Sequence, residues 1–516
     1  MFRQCAILCL FLAAAAGSAG AQSFGPAQAF DPAYVEARTR ALAAAPFAPA
    51  DESLPAPLDA LGYDAWRRIA FVRERAVPLG KSAFRLQAYH RGWIFRREAR
   101  IHLVRDGMAR PLAFSTDLFD YGEGGASALP ADLGFAGFRL LHPLNRRDKL
   151  DEAISFLGAS YFRFLGRGQA YGLSARGLAL GAGDPQTREE FPAFREFWLE
   201  EGDSPGAPAI IHALMESPSL AGAYRFVLHA GARSFVEIDA AIFPRAALRG
   251  LGLAPLTSMF MAAPYDRRAP DPFRPRVHDS DTLLLQMRAG GWIARALRNP
   301  ERPLSSDFAG VGAFGLMQRA RDFESYQDLE AHYHLRPSYW VTPRGDWVAG
   351  SVRLVELPAP DETGDNVVAF WAPAKAPQAG EALRLSYSVE TMSEDERLHD
   401  LARARAVHLV APREAGDVTR RLILDFAGGD LAYHSQDVSG LRVHALAAGA
   451  QVLAAHAKPH PRIAGVRVLV DVRISEGARA DVATTLRDPD GQALTETFLF
   501  PFFPESAEVT ASTRAR

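Results

Sequence analysis

The chain has 516 residues, which is too long for one ordinary hydrophobic core, so we expect two or three domains. Its 58 basic and 60 acidic residues nearly cancel, which gives no support for a nucleic-acid-binding protein. With 48% hydrophobic and 23% charged residues, the composition is that of an ordinary globular protein.

The first 21 residues predict a secretory signal peptide. Arg3 provides a minimal positive start, residues 5–16 form the apolar core, and Ala-Gly-Ala at 19–21 is a small-residue cleavage site. No later stretch reaches about 18 apolar residues, so we expect no membrane anchor. Both cysteines, Cys5 and Cys9, fall in this segment, which excludes thiol catalysis, zinc–thiolate sites and disulfides from the mature chain.

Strands dominate the prediction after a short N-terminal helix. Asp31 suits a helix N-cap and Pro32 the first helical position. From Phe84 onwards, apolar residues alternate with polar ones, and turn signals recur to about residue 385. We therefore predict a large antiparallel β-sandwich domain over residues 22–390.

The C-terminal part predicts a second, smaller domain. Residues 391–406 are charged, lack a strand period, and are interpreted as a linker. Apolar residues alternate strictly from Val466 to Ile474, and Asp490-Gly491 indicates a hairpin turn. Short strands over residues 407–516 predict an immunoglobulin-like β-sandwich, so the fold class is mainly β throughout.

The stretch from Arg336 to Trp371 combines acidic and aromatic side chains between two predicted strands. It contains Trp340, Trp347, Trp371, Asp361, Glu362 and Asp365. Aromatic planes and carboxylates are the side chains that a sugar site needs. The alternative is a solvated acidic loop between two core strands.

A second acidic position, Asp279, precedes another predicted hairpin. Glycoside hydrolysis needs one carboxylic acid to protonate the leaving oxygen and one carboxylate to activate water or attack the sugar. Asp279 and the Glu362/Asp365 loop would supply such a pair if they faced each other across a groove. A separation of about 6.5–9.5 Å would indicate inversion, and about 5–5.5 Å retention. Aromatic candidates for sugar stacking, each also suited to the core, are Tyr161, Trp292, Tyr333 and Trp347.

Other chemistries have less support. Ser174 lacks the G-x-S-x-G spacing, so a serine hydrolase is not favoured. His332 and His334 would form a metal pair on a strand, but no third ligand is matched nearby. No phosphate-binding glycine loop is present between a strand and a helix. We expect neither a metal nor another cofactor.

Long motifs in the first predicted domain resemble one known family. They are DLGFAGFRLLHPLN, LGASYFR, GQAYGLSARGLA, LAPLTSMF, RPRVHDSD, FGLMQRARDF, LRPSYWVTPRGDW and DETGDNVVAFW. The chain resembles the periplasmic glucan biosynthesis protein G and D family, which acts in making the osmoregulated periplasmic glucans of Gram-negative bacteria. Because its signal has no twin arginine, it is more similar to the G branch.

The resemblance implies a fold, an activity and residue roles. It implies a large β-sandwich with a long cleft for β-1,2-glucan, an immunoglobulin-like domain after it, and similarity to inverting endo-β-1,2-glucanases. Asp365 would then be the general acid and Asp279 the general base, with Glu362 and Tyr333 assisting in the cleft. The other residues expected to contact glucan are Tyr161, Trp292, Trp340, Trp347, His278 and Arg163.

The resemblance also sets the expected location and partners, and leaves two functions open. The periplasm would be the location, β-1,2-glucan the ligand, and the inner-membrane glucan synthase a further candidate partner. A hydrolase requires Asp365 and Asp279, whereas a non-catalytic glucan-binding partner of the synthase does not. Two departures from the family pattern, Gly364 and the HYHLRPSYW segment, affect the surroundings of the site.

Overall fold

Antiparallel β-sheets form most of the fold, which confirms the predicted mainly β, sandwich-like class. The computed structural model describes residues 23–122, 129–186, 188–266, 273–393, 397–410, 419–475 and 477–503. The predicted signal peptide lies outside these residues. Within them, no helix has the length and apolar character that a membrane crossing requires.

The helices and strands follow one another in a long series. The α-helices are α1 (Pro32–Ala44), α2 (Ala56–Asp59) and α3 (Tyr63–Arg68). The strands before residue 200 are β1 (Gln28–Ala29), β2 (Ala70–Phe71), β3 (Val77–Pro78), β4 (Arg85–His90), β5 (Arg100–Arg105), β6 (Met108–Pro111), β7 (Phe119–Asp120), β8 (Phe135–Arg146), β9 (Lys149–Leu157), β10 (Tyr161–Phe164), β11 (Ser174–Arg176), β12 (Leu178–Leu180) and β13 (Ala193–Glu200).

The remaining strands continue in chain order. They are β14 (Ala209–Glu216), β15 (Leu220–His229), β16 (Phe235–Pro244), β17 (Leu251–Ser258), β18 (Phe260–Ala262), β19 (Val277–His278), β20 (Thr282–Met287), β21 (Trp292–Ala296), β22 (Leu304–Ala309), β23 (Val311–Met317), β24 (Ser338–Arg344), β25 (Gly350–Glu356), β26 (Val367–Pro373), β27 (Leu383–Met392), β28 (Arg403–Val410), β29 (Thr419–Ala427), β30 (Arg442–Ala448), β31 (Ala450–His460), β32 (Gly465–Ile474), β33 (Ala480–Arg487) and β34 (Thr497–Phe502).

Two large sheets form the main sandwich. One has 15 strands in the order β1-β6-β5-β13-β14-β15-β16-β27-β24-β23-β20-β21-β34-β33-β30. The other has 11 strands, with β22-β25-β26-β17-β11-β10-β9-β8-β4-β3 as its path and β12 also paired with β17. Neighbouring strands run antiparallel except for the β5–β13 and β21–β34 pairs.

Aromatic side chains fill the space between the two large sheets. Phe156 on β9 has its ring centroid 5.2 Å from that of Phe226 on β15, and Phe162 on β10 lies 5.3 Å from the same ring. Phe164 stacks on Tyr339 of β24 at 4.5 Å. Because aromatic rings bury large apolar areas in fixed relative orientations, this layer holds the sheets in register.

The N-terminal helix begins as its sequence predicts. The Asp31 side chain accepts a hydrogen bond from the Tyr34 backbone N–H at 3.0 Å, and Pro32 occupies the first turn of α1. Val35 is buried with Phe30 and Trp198 in a separate apolar cluster. The cap therefore fixes where the helix starts, and this cluster fixes which face it buries.

A buried ion pair also joins the two large sheets. Arg295 on β21 donates two hydrogen bonds of 2.6 Å to the carboxylate of Glu356 on β25, and both residues are 1% exposed. The backbone N–H of Arg298 donates a third bond to the same carboxylate at 2.7 Å. Bidentate geometry with a further donor offsets the desolvation of both charges.

The C-terminal strands belong to two sheets. Strands β28, β29, β32 and β31 form a separate four-stranded sheet in that order, and Val466, Val468, Val470 and Val472 are fully buried, as their alternation predicts. Strands β34, β33 and β30 extend the 15-stranded sheet through the parallel β21–β34 pair. β28 begins at Arg403, inside the expected linker. The domain boundaries stay a prediction, since one sheet takes strands from both sides of the boundary.

A buried carboxylate fastens the C-terminal strands to the main sandwich. Glu496, just before β34, is fully buried and accepts hydrogen bonds from Arg319 at 2.8 Å and from the Ala404 backbone N–H at 3.1 Å. Burial alone would raise the pKa of Glu496, but Arg319, His399 and Ala404 lower it to about 2. The carboxylate is therefore charged whenever the protein is folded near neutral pH.

Replacing Glu356 with Gln should lower the free energy of unfolding by about 3–5 kcal/mol, because Arg295 would be left buried without a counter-charge. Urea unfolding followed by tryptophan fluorescence measures the change. Asp307→Asn is the matched control, since it breaks the exposed Asp307–Arg353 pair on the neighbouring β22–β25 ladder. That variant should lose only about 0–1 kcal/mol. Equal losses in both variants would contradict the role given to the buried pair.

Candidate functional site

Two acidic loops meet beside the end of β17. Asp279 lies between β19 and β20, and Asp365 lies just before β26. The backbone N–H of Asp279 donates to the Met259 carbonyl at 2.8 Å, and that of Asn366 donates to the Ser258 carbonyl at 3.1 Å. One short backbone segment therefore anchors both acids, although they are far apart in sequence.

Asn366 secures the second of these loops. Its buried side chain accepts a hydrogen bond from the Phe260 backbone N–H at 2.8 Å and donates to the Phe260 and Leu357 carbonyls at 2.9 and 3.0 Å. The first loop is held by a 2.9 Å bond from the Ser258 hydroxyl to that of Ser280. Fully satisfied buried amides of this kind hold a loop rigidly.

Asp279 is a buried carboxylate with one direct cationic partner. It is 4% exposed, and the guanidinium of Arg336 donates a hydrogen bond to its Oδ1. Burial raises the pKa of Asp279 to about 6, and Arg336 opposes that rise while the nearby charge of Asp365 adds to it. Asp279 therefore changes protonation close to neutral pH.

Arg336 is held by its own surroundings. It follows the 3-10 turn Tyr333–Leu335, and its Nε and Nη2 donate to the Ala331 carbonyl at 3.2 and 3.1 Å. Its guanidinium carbon lies 4.1 Å from the ring centroid of Tyr333. A Cβ added at Gly172 would lie 2.8 Å from the Cβ of Arg336. This close approach requires glycine at position 172 for Arg336 to reach Asp279.

Glu362 takes part in a second polar group at the same site. Tyr333 donates its hydroxyl to Glu362 Oε2 at 2.8 Å, and Arg274 donates to that oxygen at 2.9 Å. Arg274 also donates to Asp328 at 2.9 Å. Burial first, and then Glu362, raises the pKa of the Tyr333 hydroxyl, which keeps it a donor.

Asp365 differs from Asp279 in its exposure. Its side chain is open to solvent, and it has no hydrogen-bond partner among the described residues. Loss of hydration nevertheless raises its pKa, against the opposing charges of Arg163, Arg176 and Arg336. Neighbouring protein atoms therefore displace part of the water around Asp365 while its side chain stays accessible.

Strands β10 and β11 supply the residues beside Asp365. On β10, Phe162 and Phe164 are buried in the core, so Tyr161 and Arg163 point to the opposite face. Arg163 donates to the Ser174 hydroxyl at 2.7 Å. Tyr161 is the cross-strand neighbour of Arg176, whose guanidinium carbon lies 4.6 Å from the tyrosine ring centroid.

His278 was expected to contact substrate, but its side chain is fully buried. Its Nδ1 is 2.7 Å from the side-chain oxygen of Gln318, and its ring stacks on Phe260 at 5.5 Å. Burial lowers the pKa of His278 to about 4, so the imidazole is neutral near pH 7. The Gln318 amide donates to the carbonyls of His278 and Tyr333 at 3.1 and 3.0 Å, which joins the two loops behind Asp279.

The three tryptophans expected to contact sugar make packing contacts. Trp292 lies 5.5 Å from Trp340 and 4.7 Å from the ring of His399. Trp347 donates its indole N–H to the Ser386 carbonyl at 2.8 Å and packs on Trp371 at 5.6 Å. Their role in substrate binding stays a prediction, while Asp279, Asp365, Glu362, Tyr333, Tyr161 and Arg163 share one neighbourhood.

The sequence did not predict which residues contact these acids or act on them through charge. Arg336 and Arg176 lie within the family motifs LRPSYWVTPRGDW and GQAYGLSARGLA, yet nothing local in either motif reveals the partner. Arg274 and Gln318 likewise act across long sequence separations. Their position inside the family motifs was the one feature of the sequence that could have indicated them.

The structure also describes the surroundings of His332, His334 and Gly364. His332 and His334 lie at a 3-10 turn, so the expected strand there is wrong. Across the described ranges, no three His, Cys, Asp or Glu side chains are grouped to hold a metal ion. A Cβ at Gly364 would meet nothing within 4 Å, so a larger residue would fit at that departure from the family pattern.

Comparison with known proteins gives a consistent result. A family model described as "Periplasmic glucan biosynthesis protein, MdoG" matches residues 30–502. "Glucans biosynthesis protein G" of Cereibacter sphaeroides is 42% identical over 87% of this chain and 85% of its own length. The protein of that name in Bradyrhizobium diazoefficiens is 38% identical over 94% and 96%. "Glucans biosynthesis protein D 1" of Ralstonia nicotianae is 39% identical over 96% of both chains.

Replacing Arg336 with Gln should raise the pKa of Asp279 above about 6, because the guanidinium stabilises the ionised carboxylate. Difference infrared spectroscopy over a pH titration follows the protonated carboxyl stretch, which Asp279→Asn identifies by removing it. Arg274→Gln, which breaks the contact with Glu362, is the control and should leave this titration unchanged. A constant or lower pKa in Arg336→Gln would contradict the assigned electrostatics.

Proposed function

The chain belongs to the periplasmic glucan biosynthesis family, and from this premise we propose that it is an inverting endo-β-1,2-glucanase. It would cut linear β-1,2-glucan and so set the length of the periplasmic product. The observation that carries the proposal is the meeting of Asp279 and Asp365 at the end of β17, each with a raised pKa. Two carboxyls in contrasting surroundings are what acid–base cleavage of a glycosidic bond requires.

Asp365 is the proposed general acid. Its exposed side chain can reach a bound ligand, and its raised pKa favours the protonated form that an acid needs. The Asp365 proton passes to the glycosidic oxygen as the bond from that oxygen to the anomeric carbon breaks. The leaving sugar therefore departs as a neutral alcohol.

Asp279 is the proposed general base. Above a pH of about 6 it is ionised, and Arg336 stabilises that anion. Water attacks the anomeric carbon from the face opposite the leaving group and loses a proton, which reaches Asp279 through a relay that includes substrate hydroxyls. Attack from the opposite face inverts the anomeric configuration.

Glu362 and Tyr333 are proposed to assist by positioning. Tyr333 and Arg274 both donate to Glu362, so the carboxylate is held in one orientation at the edge of the site. Tyr161 and Arg163 would contact the sugar from β10, through an aromatic face and a guanidinium. Such mixed surfaces suit glucose, which has apolar ring faces and hydroxyls around its rim.

The proposed setting is the periplasm, reached by a signal peptide cleaved after Ala21. The substrate would be the glucan that the inner-membrane synthase delivers. A second function, a non-catalytic glucan-binding partner of that synthase, is favoured by one observation: the relatives' names refer to biosynthesis and not to hydrolysis.

The two functions separate in an assay of chain length. Purified protein incubated with linear β-1,2-glucan should shorten it, and Asp365→Asn or Asp279→Asn should reduce the rate about 10²–10⁴-fold, since positioned acids and bases contribute that much. Asp361→Asn is the matched control, because Asp361 lies in the same loop and, among the described residues, accepts side-chain hydrogen bonds only from the Thr363 N–H and hydroxyl. It should leave the rate nearly unchanged.

Different failures of this assay have different meanings. Binding without shortening at high protein concentration would reject the hydrolase and favour the binding partner. Shortening that survives both Asp365→Asn and Asp279→Asn would reject the assignment of acid and base while keeping the activity.

The pH dependence of hydrolysis should be bell-shaped. The rate should rise with a midpoint near pH 6, because Asp279 must lose its proton to act as a base. The rate should also decline as Asp365 loses the proton that it donates, and the raised pKa of Asp365 delays that loss. Initial rates across the pH range measure both limbs, and Arg336→Gln should move the rising limb to higher pH. A rising limb that Arg336→Gln does not move would contradict Asp279 as the base.

A further inference from the structure

A cluster of aromatic side chains lies outside the proposed catalytic residues. It consists of Tyr63, Trp66, Trp93 and Phe95, which we term the aromatic platform. Ring centroids are 5.0 Å apart for Tyr63 and Trp93, 4.7 Å for Trp66 and Phe95, and 5.6 Å for Trp93 and Phe95. Tyr63 is 46% exposed, and the adjoining Ile94 is 64% exposed. Exposed apolar side chains that lie together in this way are typical of a ligand-binding surface.

The aromatic platform is built rigidly. The Trp66 indole N–H donates to the His90 carbonyl at 2.9 Å. Trp93 has a φ of 51°, a left-handed conformation that bulky residues rarely adopt. Ala159, which lines the adjoining cavity, has a φ of 43°. Backbone strain of this kind concentrates at ligand-binding sites.

A cavity of about 250 Å³ adjoins the platform, and its lining is mixed in character. Ile94, Phe95 and Phe191 contribute apolar surface, while Glu52 and Arg97 contribute a charged pair whose side chains are 2.6 Å apart. Apolar faces next to hydrogen-bonding groups match the two surfaces of a glucose ring.

Side-chain contacts link the cavity to residues near Asp365. Phe191, 48% exposed, lines the cavity and lies 5.7 Å from the guanidinium carbon of Arg176. The same guanidinium carbon lies 4.6 Å from the ring centroid of Tyr161, and the charge of Arg176 acts on Asp365. Arg176 therefore links Phe191, on the cavity wall, to the residues beside Asp365.

We propose that Phe191, Ile94 and the aromatic platform form a remote subsite that binds glucose units of the same glucan chain whose linkage lies at Asp365. The inference rests on the proposed function, because that function puts a glucan in the groove. Only chains long enough to extend past Phe191 reach the subsite. The protein therefore discriminates between glucans by length, which a site confined to the two acids could not do.

Affinity for glucans of two lengths tests the subsite. The Asp365→Asn protein binds without cleaving, and isothermal titration gives its Kd for a short and a long linear β-1,2-glucan. Adding Ile94→Ala and Phe191→Ala should weaken binding of the long chain about tenfold and leave the short chain unchanged. Both residues are exposed, so the fold should tolerate the changes.

Tyr433→Ala is the matched control, because Tyr433 is an 86% exposed aromatic residue in the C-terminal part of the chain. It should leave both affinities unchanged. If the Ile94 and Phe191 changes weaken binding of the short and the long glucan equally, or weaken neither, the subsite is overturned while the proposed function stands. A parent protein that binds neither glucan would overturn both.

Discussion

Hydrogen bonds to one backbone segment, Ser258 to Phe260, bring the two acidic loops together. Asp279 binds this segment through its own N–H, and Asp365 is tied to it through its neighbour Asn366. The segment can serve as an anchor because it leaves β17, a strand buried within the 11-stranded sheet. The aromatic layer and the Arg295–Glu356 pair in turn hold that sheet against its partner. The precision of the site therefore comes from the sandwich beneath it.

Opposing electrostatic effects decide the state of both acids. Loss of hydration raises the pKa values of Asp279 and Asp365, and the arginines around them act in the opposite direction. The loss of hydration prevails at both positions, so each acid retains its proton to a higher pH than a fully hydrated aspartate would. The arginines keep this rise moderate, and an aspartate base requires such moderation because a larger rise would leave it protonated. The two aspartates differ mainly in partner and access: Asp279 is paired and enclosed, whereas Asp365 is open.

Local sequence patterns predicted the strands and part of the site. Period-two alternation identified the mainly β fold and the buried valines of β32, because each strand's pattern reflects the two faces of its own sheet. The need for two carboxyls suggested pairing Asp279 with the Glu362/Asp365 loop, and the family resemblance then singled out Asp365 as the acid and Asp279 as the base. Long-range partners were not predictable: the Arg336–Asp279 contact and the burial of Trp340 depend on how distant strands pack. The β21–β34 pairing, which carries one sheet across the expected linker, was missed for the same reason.

The β21–β34 pairing also means that one edge of β21 stays unpaired until β34 docks. β34 lies far beyond β21 in the chain, and it pairs with the side of β21 opposite β20 in the 15-stranded sheet. Until the last strands arrive, β21 presents an unpaired edge that another chain could occupy. Docking of β34 therefore closes an edge that would otherwise remain open to misassociation, which makes it a protective step in folding.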